Sequence, residues 1–142
     1  MARKHEHDEH CKEIANTLER YAYGQMYRCD NCGEIVDEND VDDFDEISSV
    51  CPHCEEETSF EQLSMYDFLE DALDFEYTIN ANGDFKHGRV MLTCGGPNIY
   101  ANTGRNSVEL YWWGDSGEYP ISNNAADILN EYLEDFYNCC KC

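Results

Sequence analysis

The chain has 142 residues, of which 31 are acidic, nine basic and nine cysteine, and its formal net charge is −22. That length fits one ordinary domain, or a small module beside one of about 80 residues, and a 42% hydrophobic share with ten Tyr excludes disorder throughout. A charge of this sign and size repels nucleic acid and anionic lipid and attracts basic surfaces, which sets aside direct nucleic-acid binding.

In chain order, Cys11, Ile14, Ala15, Leu18, Tyr21 and Ala22 fall at helical spacing and predict a first helix over about Glu9–Tyr23, ended by Gly24. His5, His7, His10 and Cys11 precede or enter this helix. Together with Cys139, Cys140 and Cys142 at the other end, they would supply a second metal site if the two ends met. The plainer reading is a His-rich start and a reactive cysteine tail.

Two Cys-x-x-Cys knuckles follow, Cys29-Asp30-Asn31-Cys32 and Cys51-Pro52-His53-Cys54, at the spacing of a structural four-cysteine zinc site. Zinc takes four thiolates at tetrahedral corners, and each knuckle supplies two from one turn. Such a site leaves no open position, so its role is structural. His53 is read as a knuckle residue, although it could displace one of its neighbouring cysteines. Short strands are expected around the knuckles, at Tyr27-Arg28 and Glu34-Ile35-Val36. Residues 27–60 are thus assigned to a zinc ribbon with almost no apolar core of its own, after an N-terminal helical segment over 1–26. Between the knuckles lie eight carboxylates, Glu34, Asp37, Glu38, Asp40, Asp42, Asp43, Asp45 and Glu46, and no Lys or Arg. Residues 28–60 carry twelve acids against one base, whereas ribbons that read nucleic acid are basic. A calcium loop is excluded because no Gly follows in the required place.

The third segment, 61–142, opens on a helix over about Ser64–Asp74 with Met65, Phe68, Leu69, Ala72 and Leu73 apolar. The period then switches to two at Phe75, Tyr77 and Ile79. Asn82-Gly83 predicts a hairpin, with a return strand over Gly88–Cys94 in which Cys94 alternates with Val90 and Leu92 and is read as core. Ile99–Asn102 and Val108–Trp113 predict two more strands, and Tyr119–Ile121 a short extension. Tyr111 and Trp113 fall on one face of their strand, Leu110 and Trp112 on the other. Gly114-Asp115-Ser116-Gly117 has the form of a protease nucleophile segment but lacks its context and is read as a turn. A last helix runs from Asn123 or Asn124 to about Tyr137, with Ile128, Leu129, Tyr132, Leu133 and Phe136 as its apolar stripe. The expected class is α+β: an N-terminal helix and zinc ribbon joined to an antiparallel meander flanked by helices.

The segment Cys94-Gly-Gly-Pro-Asn-Ile-Tyr with Val108-Glu-Leu-Tyr-Trp-Trp-Gly, between acidic helices, resembles small uncharacterised proteins of phages and other mobile elements over residues 64–137. The acidity is similar in kind to that of anti-restriction and anti-CRISPR proteins that imitate the DNA duplex. This resemblance implies a protein acting in the cytoplasm of a bacterial host, which agrees with the absence of an apolar leader after Met1. It also implies a non-enzymatic inhibitor that occupies the basic nucleic-acid channel of a defence nuclease. The contact residues on that reading are Asp37, Glu38, Asp40, Asp42, Asp43, Asp45 and Glu46 in the loop. The helix acids Glu70, Asp71, Asp74, Asp127, Glu131, Glu134 and Asp135, placed at or near i, i+3, i+4 spacing, come second. The alternative is a zinc-ribbon adaptor recruited to a host transcription or replication complex. A third reading treats the acids as a solvated face of a globular protein. No convergent acid, base and nucleophile can be placed, so an enzyme is not expected.

Overall fold

The structure, a computed structural model, describes residues 2–94 and 96–141, with side chains for 6–94 and 96–139. Helix α1 (Ala2–Ala22) starts at Ala2 rather than Glu9 and ends in a glycine cap. Gly24, with φ at +70°, bonds back to the Tyr21 carbonyl, and Gln25 bonds to that of Arg20. This pair of bonds satisfies carbonyls that the helix end leaves open.

The next segment carries five short strands: β1 (Met26–Cys29), β2 (Ile35–Asp37), β3 (Ser49–Val50), β4 (Glu57–Thr58) and β5 (Phe60–Gln62). They form a three-stranded sheet in the order β2-β1-β5 and a separate β3-β4 ladder. The first knuckle joins β1 to β2 and the second joins β3 to β4. Contrary to the expectation from sequence, this segment has an apolar core. Tyr27, Val36, Val41 and Phe60 are buried with Cys29 and Cys51, and Phe44 packs between Tyr27 and Phe60 at centroid distances of 4.6 and 5.5 Å. The aromatic residues lie far apart in sequence, so no periodicity announces them.

Helix α2 (Met65–Leu69) is much shorter than predicted. The chain leaves it because the Leu73 amide bonds the Met91 carbonyl, and strand β6 (Asp74–Ile79) begins there. Strand pairing overrides the helical pattern of Ala72 and Leu73. Strands β7 (Phe85–Thr93), β8 (Asn98–Asn102), β9 (Ser107–Trp112) and β10 (Asp115–Pro120) complete an antiparallel sheet in the order β10-β9-β8-β7-β6. Gly83, with φ at +88°, makes the predicted hairpin turn. Only Gly114 of the protease-like segment lies in the turn; Asp115, Ser116 and Gly117, expected to belong to the turn, pair with β9 as the start of β10. Helix α3 (Asn123–Lys141) closes the chain. The fold is α+β, as the sequence implied.

Register assigns the faces. Val90, Ala101 and Val108 lie side by side, as do Ile99, Leu110 and Gly117. All of the apolar residues among these are buried against Cys11, Ala15 and Leu18 of α1, Met65 and Leu69 of α2, and Leu129 and Leu133 of α3. The three helices therefore share one face of the sheet, and α1 belongs to this larger core rather than to the ribbon's. Cys94 departs from expectation and is exposed, because a bulge between Met91 and Thr93 shifts the alternation before it is reached.

The ends of the chain lie over opposite edges of the sheet. His7 and Asp8 rest on Gly117 and Glu118 of β10, while the Tyr137 hydroxyl donates to the Gly83 carbonyl in the β6–β7 turn. Four strand spacings of about 4.8 Å separate the two edges. Cys11 is buried in the core and His10 is exposed, and among the described residues no second group of metal ligands comes together. The side chains of His5, Cys140 and Cys142 lie outside the described residues.

Gly117 sets the approach of α1. A Cβ there would meet the His7 Cβ at 2.6 Å and its backbone carbonyl carbon at 2.9 Å. The Gly117→Ala variant is expected to lose about 1–3 kcal/mol of stability through overpacking, read as a lower urea midpoint. An unchanged midpoint would show that the start of α1 does not rest on β10.

Candidate metal centre and acidic surface

Each knuckle is a tight turn between two short strands. After Cys29, the Gly33 amide returns to the Cys29 carbonyl and the Cys29 amide bonds the Glu34 carbonyl. Gly33 has φ at +78°, the left-handed geometry that glycine adopts without a Cβ clash. The second knuckle repeats the pattern. The Glu55 amide bonds the Cys51 carbonyl, and the Cys51 amide bonds the Glu56 carbonyl. Glu55 takes the left-handed position without being glycine, at φ +61°.

These turns bring Cys29, Cys32, Cys51 and Cys54 together, with all four sulfurs within 4.8 Å of one another. Cys29 Sγ lies 3.9 Å from Cys54 Sγ, and Cys32 Sγ lies 3.8 Å from Cys51 Sγ. These separations are far beyond a disulfide bond of about 2 Å. The Cys32 amide donates to Cys29 Sγ and the His53 amide to Cys51 Sγ, each at 3.4 Å, and the Asn31 side-chain amide donates to Cys54 Sγ at 3.5 Å. Donors aimed at sulfur favour thiolate. Burial opposes ionisation of Cys29, but the amides of Cys32 and Asn31 prevail and bring its pKa down to about 7. For Cys32 the Glu34 amide favours the thiolate, yet desolvation and the three neighbouring sulfurs outweigh it and push the pKa up to about 12. The Asn31 side chain and the Glu56 amide bring the Cys54 pKa down as well, so that thiolates at Cys29 and Cys54 are favoured while one at Cys32 is opposed, an electrostatic condition that a bound cation would relieve. His53 is exposed and only its backbone enters the site.

The acidic loop hangs from this centre. Asp40, Asp42, Asp43, Asp45 and Glu46 are exposed and Glu38 is half-buried. Asp45 also shapes the loop, accepting from the Ile47 amide at 2.9 Å, while its carbonyl accepts from the Ser49 hydroxyl at 2.7 Å. Asp37 does not belong to the exposed set. It is only 7% exposed, pairs with Arg20 Nε at 3.0 Å, and caps the 3₁₀ turn Glu38–Asp40 through the Asn39 amide. It joins the ribbon to α1 and is a structural residue. Of the second group, Asp127, Glu131, Glu134 and Asp135 point outward from α3. Glu70 and Asp71 are exposed but lie beyond the end of α2, and Asp74 opens β6, so these three do not form the predicted helical stripe.

Sequence reading missed a polar network on the helix-free face of the sheet. Glu109, 3% exposed, accepts from Asn102 Nδ2 at 3.0 Å, Arg105 Nη1 at 3.1 Å and the Tyr111 hydroxyl at 2.9 Å. Beside it the Arg89 guanidinium lies 3.9 Å from the centre of the Tyr100 ring and bonds Glu76 at 2.6 Å. A Glu inside an apolar strand run, Val108-Glu109-Leu110, was the available signal. Tyr111 shares this open face and Trp112 packs on the helix side, as the alternation implied. Trp113, in the following turn at φ +49°, is 84% exposed.

No protein-family model matches the chain, and no curated protein and no solved structure proved similar to it. Among the described residues, no helix is long and apolar enough to cross a membrane.

Two outcomes are expected. Replacing Cys51 with Ser should abolish binding of one metal ion per chain and unfold residues 26–62, because a metal supplies on the order of 10 kcal/mol to small cysteine-rich modules. The five-stranded sheet should persist, so elemental analysis and amide exchange measured together test both halves of the statement. For Glu109, burial raises the pKa but the bonds from Asn102, Tyr111 and Arg105 outweigh it, leaving the pKa below its ordinary 4.5. Its stabilising contribution is therefore complete above about pH 4.5 and lost as pH falls through the lower, folded value. Glu109→Gln should lower stability at pH 7 and flatten the acid limb of the stability curve; an acid limb identical to that of the unmodified protein would show that Glu109 does not contribute to it.

Proposed function

We propose that this chain is a zinc-stabilised, non-enzymatic acidic protein that occupies the basic nucleic-acid channel of a nuclease in the bacterial cytoplasm. Zinc is the metal favoured by the donor set. A tetrahedron of sulfurs about 2.3 Å from zinc has edges of about 3.8 Å; the Cys32–Cys51 and Cys29–Cys54 sulfur separations in the structure are 3.8 and 3.9 Å, and all the others are within 4.8 Å.

The observation that carries the inhibitor reading is how three of the five arginines are used. Arg20, Arg89 and Arg105 are each paired with a carboxylate, those of Asp37, Glu76 and Glu109. Asp40, Asp42, Asp43 and Glu46 have no ion-pair partner among the described residues and stand exposed on a braced loop. Duplex DNA carries one charge per roughly 1.7 Å of axis. A short loop of closely spaced carboxylates held at fixed positions offers a basic channel a comparable density.

A second reading, the adaptor, is favoured by Trp113. A large aromatic ring 84% exposed at a hairpin tip, beside the exposed Tyr111, has the form of an interface anchor.

Capture from a nuclease-bearing bacterial lysate, followed by elution with salt or with duplex DNA or RNA, separates the two. On the inhibitor reading, both nucleic acid and rising salt release the partner, because the contact lies within a Debye length of about 8 Å at physiological ionic strength. Changing Asp40, Asp42, Asp43 and Asp45 to Asn should weaken that contact by a few kcal/mol at low salt, mainly through the on-rate, without loss of folding. A partner that survives both molar salt and the neutralised loop, yet is lost in Trp113→Ala, would replace the inhibitor with the adaptor. Elemental analysis of the reduced protein should find one zinc per chain, and a different metal or none would remove that part of the proposal.

A further inference from the structure

The two edges of the five-stranded sheet are not alike. On β10 the Glu118 amide donates to the Asp8 carboxylate at 3.0 Å, and Pro120 has no amide to offer, so that edge is closed. β6 is the last strand of the sheet, and among the described residues no strand lies outside it. The direction of its backbone follows from the ladder. Gly88 bonds Thr103, on the β8 side, through both its amide and its carbonyl. By alternation the backbone groups of Arg89 face β6, and their partner there is Glu76. The backbone of Phe75 therefore faces outward; its amide bonds the carboxylate of the preceding Asp74 at 2.9 Å, a contact within its own strand that an incoming strand would replace, whereas the β10 amide is held by a residue of the covering helix α1.

Beside this edge, on the helix side, lies an open apolar cleft of about 380 Å³ between α2, β6 and α3, walled by Tyr66, Leu69, Phe75 and Phe136. Tyr66 is 56% exposed and meets the Phe136 ring edge-on at a centroid distance of 6.3 Å. On the other face of β6, Asp74 and Glu76 are exposed, and Glu70 stands at the rim of the cleft.

We propose that β6 accepts an added strand from a protein partner, and that this strand alternates apolar and basic residues. Successive side chains of a strand point to opposite faces. A strand laid along β6 would direct every second side chain into the cleft, where the lining is aromatic and aliphatic. The side chains between them would stand beside Asp74 and Glu76; Arg89 already bonds Glu76, so the net negative charge on this face is that of Asp74, which a cation complements. Main-chain hydrogen bonds supply affinity in this mode and the alternate pockets supply specificity. A second copy of this chain is the poorer occupant. Antiparallel pairing of β6 with itself brings Asp74 and Glu76 against the same residues of the other copy, between two bodies that each carry −22. This inference does not rest on the ribbon contact proposed above.

The probe is a blocked peptide of alternating Val and Lys, about eight residues long to match an edge strand, compared with an isomer holding the same residues in two blocks. The alternating peptide is expected to bind about tenfold more tightly than the block isomer and to slow amide exchange in residues 74–79 without changing it in β10. Phe75→Pro, which removes the outward amide at an edge position where proline is tolerated, should abolish that protection. If Phe75→Pro unfolds the protein, the Asp74→Asn, Glu76→Gln double variant decides, with an expected loss of several-fold in affinity for the alternating peptide. Neutralising Asp40, Asp42, Asp43 and Asp45 should leave the effect at β6 unchanged, which separates this surface from the channel contact. Equal binding of the two isomers, protection confined to the ribbon loop, or a dimer with β6 already protected in the absence of peptide would each overturn the proposal.

Discussion

The constraint on which this protein depends is the repulsion among carboxylates between the two knuckles. Eight acids and no base occupy residues 34–50, and four cysteine sulfurs lie at the base of the same loop. Like charges so close together disfavour any compact arrangement. Two things hold the segment closed. One is the small aromatic core of Tyr27, Phe44 and Phe60. The other is the cysteine cluster, which is itself frustrated without a cation, since ionising Cys29 is made easy and ionising Cys32 is made hard. A dication at the centre of the cluster would relieve both problems, permitting further thiolates and lowering the local negative charge. The acid-rich loop and the cysteine cluster are thus two halves of one electrostatic arrangement.

The same logic explains how the few cations are used. Arg20 joins the ribbon to the helical body through buried Asp37, and Arg105 and Arg89 serve Glu109 and Glu76 on the open sheet face. Each of these three arginines neutralises a carboxylate where the fold needs one. Most exposed such pairs contribute under about 1 kcal/mol, but Asp37 and Glu109 are buried, and a buried carboxylate without donors is strongly unfavourable. With those arginines committed, the exposed acids of the ribbon loop and of α3 keep their full charge toward solvent.

Legibility in the sequence followed the range of the interactions. The knuckles, the Asn82-Gly83 hairpin and the apolar stripe of α3 are encoded within a few residues, and all three stand where the pattern placed them. Features set by distant partners were not legible. The ribbon core joins Tyr27, Phe44 and Phe60 across two turns. Helix α2 stops early because Leu73 is claimed by Met91 of a strand not yet reached. Cys94 is exposed because a bulge changes the phase of its strand. Asp37 looked like one more loop acid, since nothing local reveals Arg20 beside it. Gly117, where a helix lies almost directly on a strand, carries no local mark at all.

These long-range contacts also divide the surface. The face of the sheet toward the helices is filled by apolar side chains from α1, α2 and α3, and α1 also closes the β10 edge. Helix α1 can do both because Gly117 lets its first turns lie close against the strand and places Asp8 at the edge amide. Helix α3 crosses the sheet to the β6–β7 turn, where Tyr137 bonds Gly83, but its aromatic residues stack on the inner side of β6 and leave the edge itself uncovered. One short helix, α2, stands near that edge, and it is short because the strand begins early. The interaction that truncated α2, the bond from Leu73 to Met91, therefore also leaves β6 uncovered. What remains accessible is a charged loop braced by the cysteine cluster at one site and an uncovered strand edge at another. Both arise from contacts between residues remote in sequence, which is why neither could be read from composition alone.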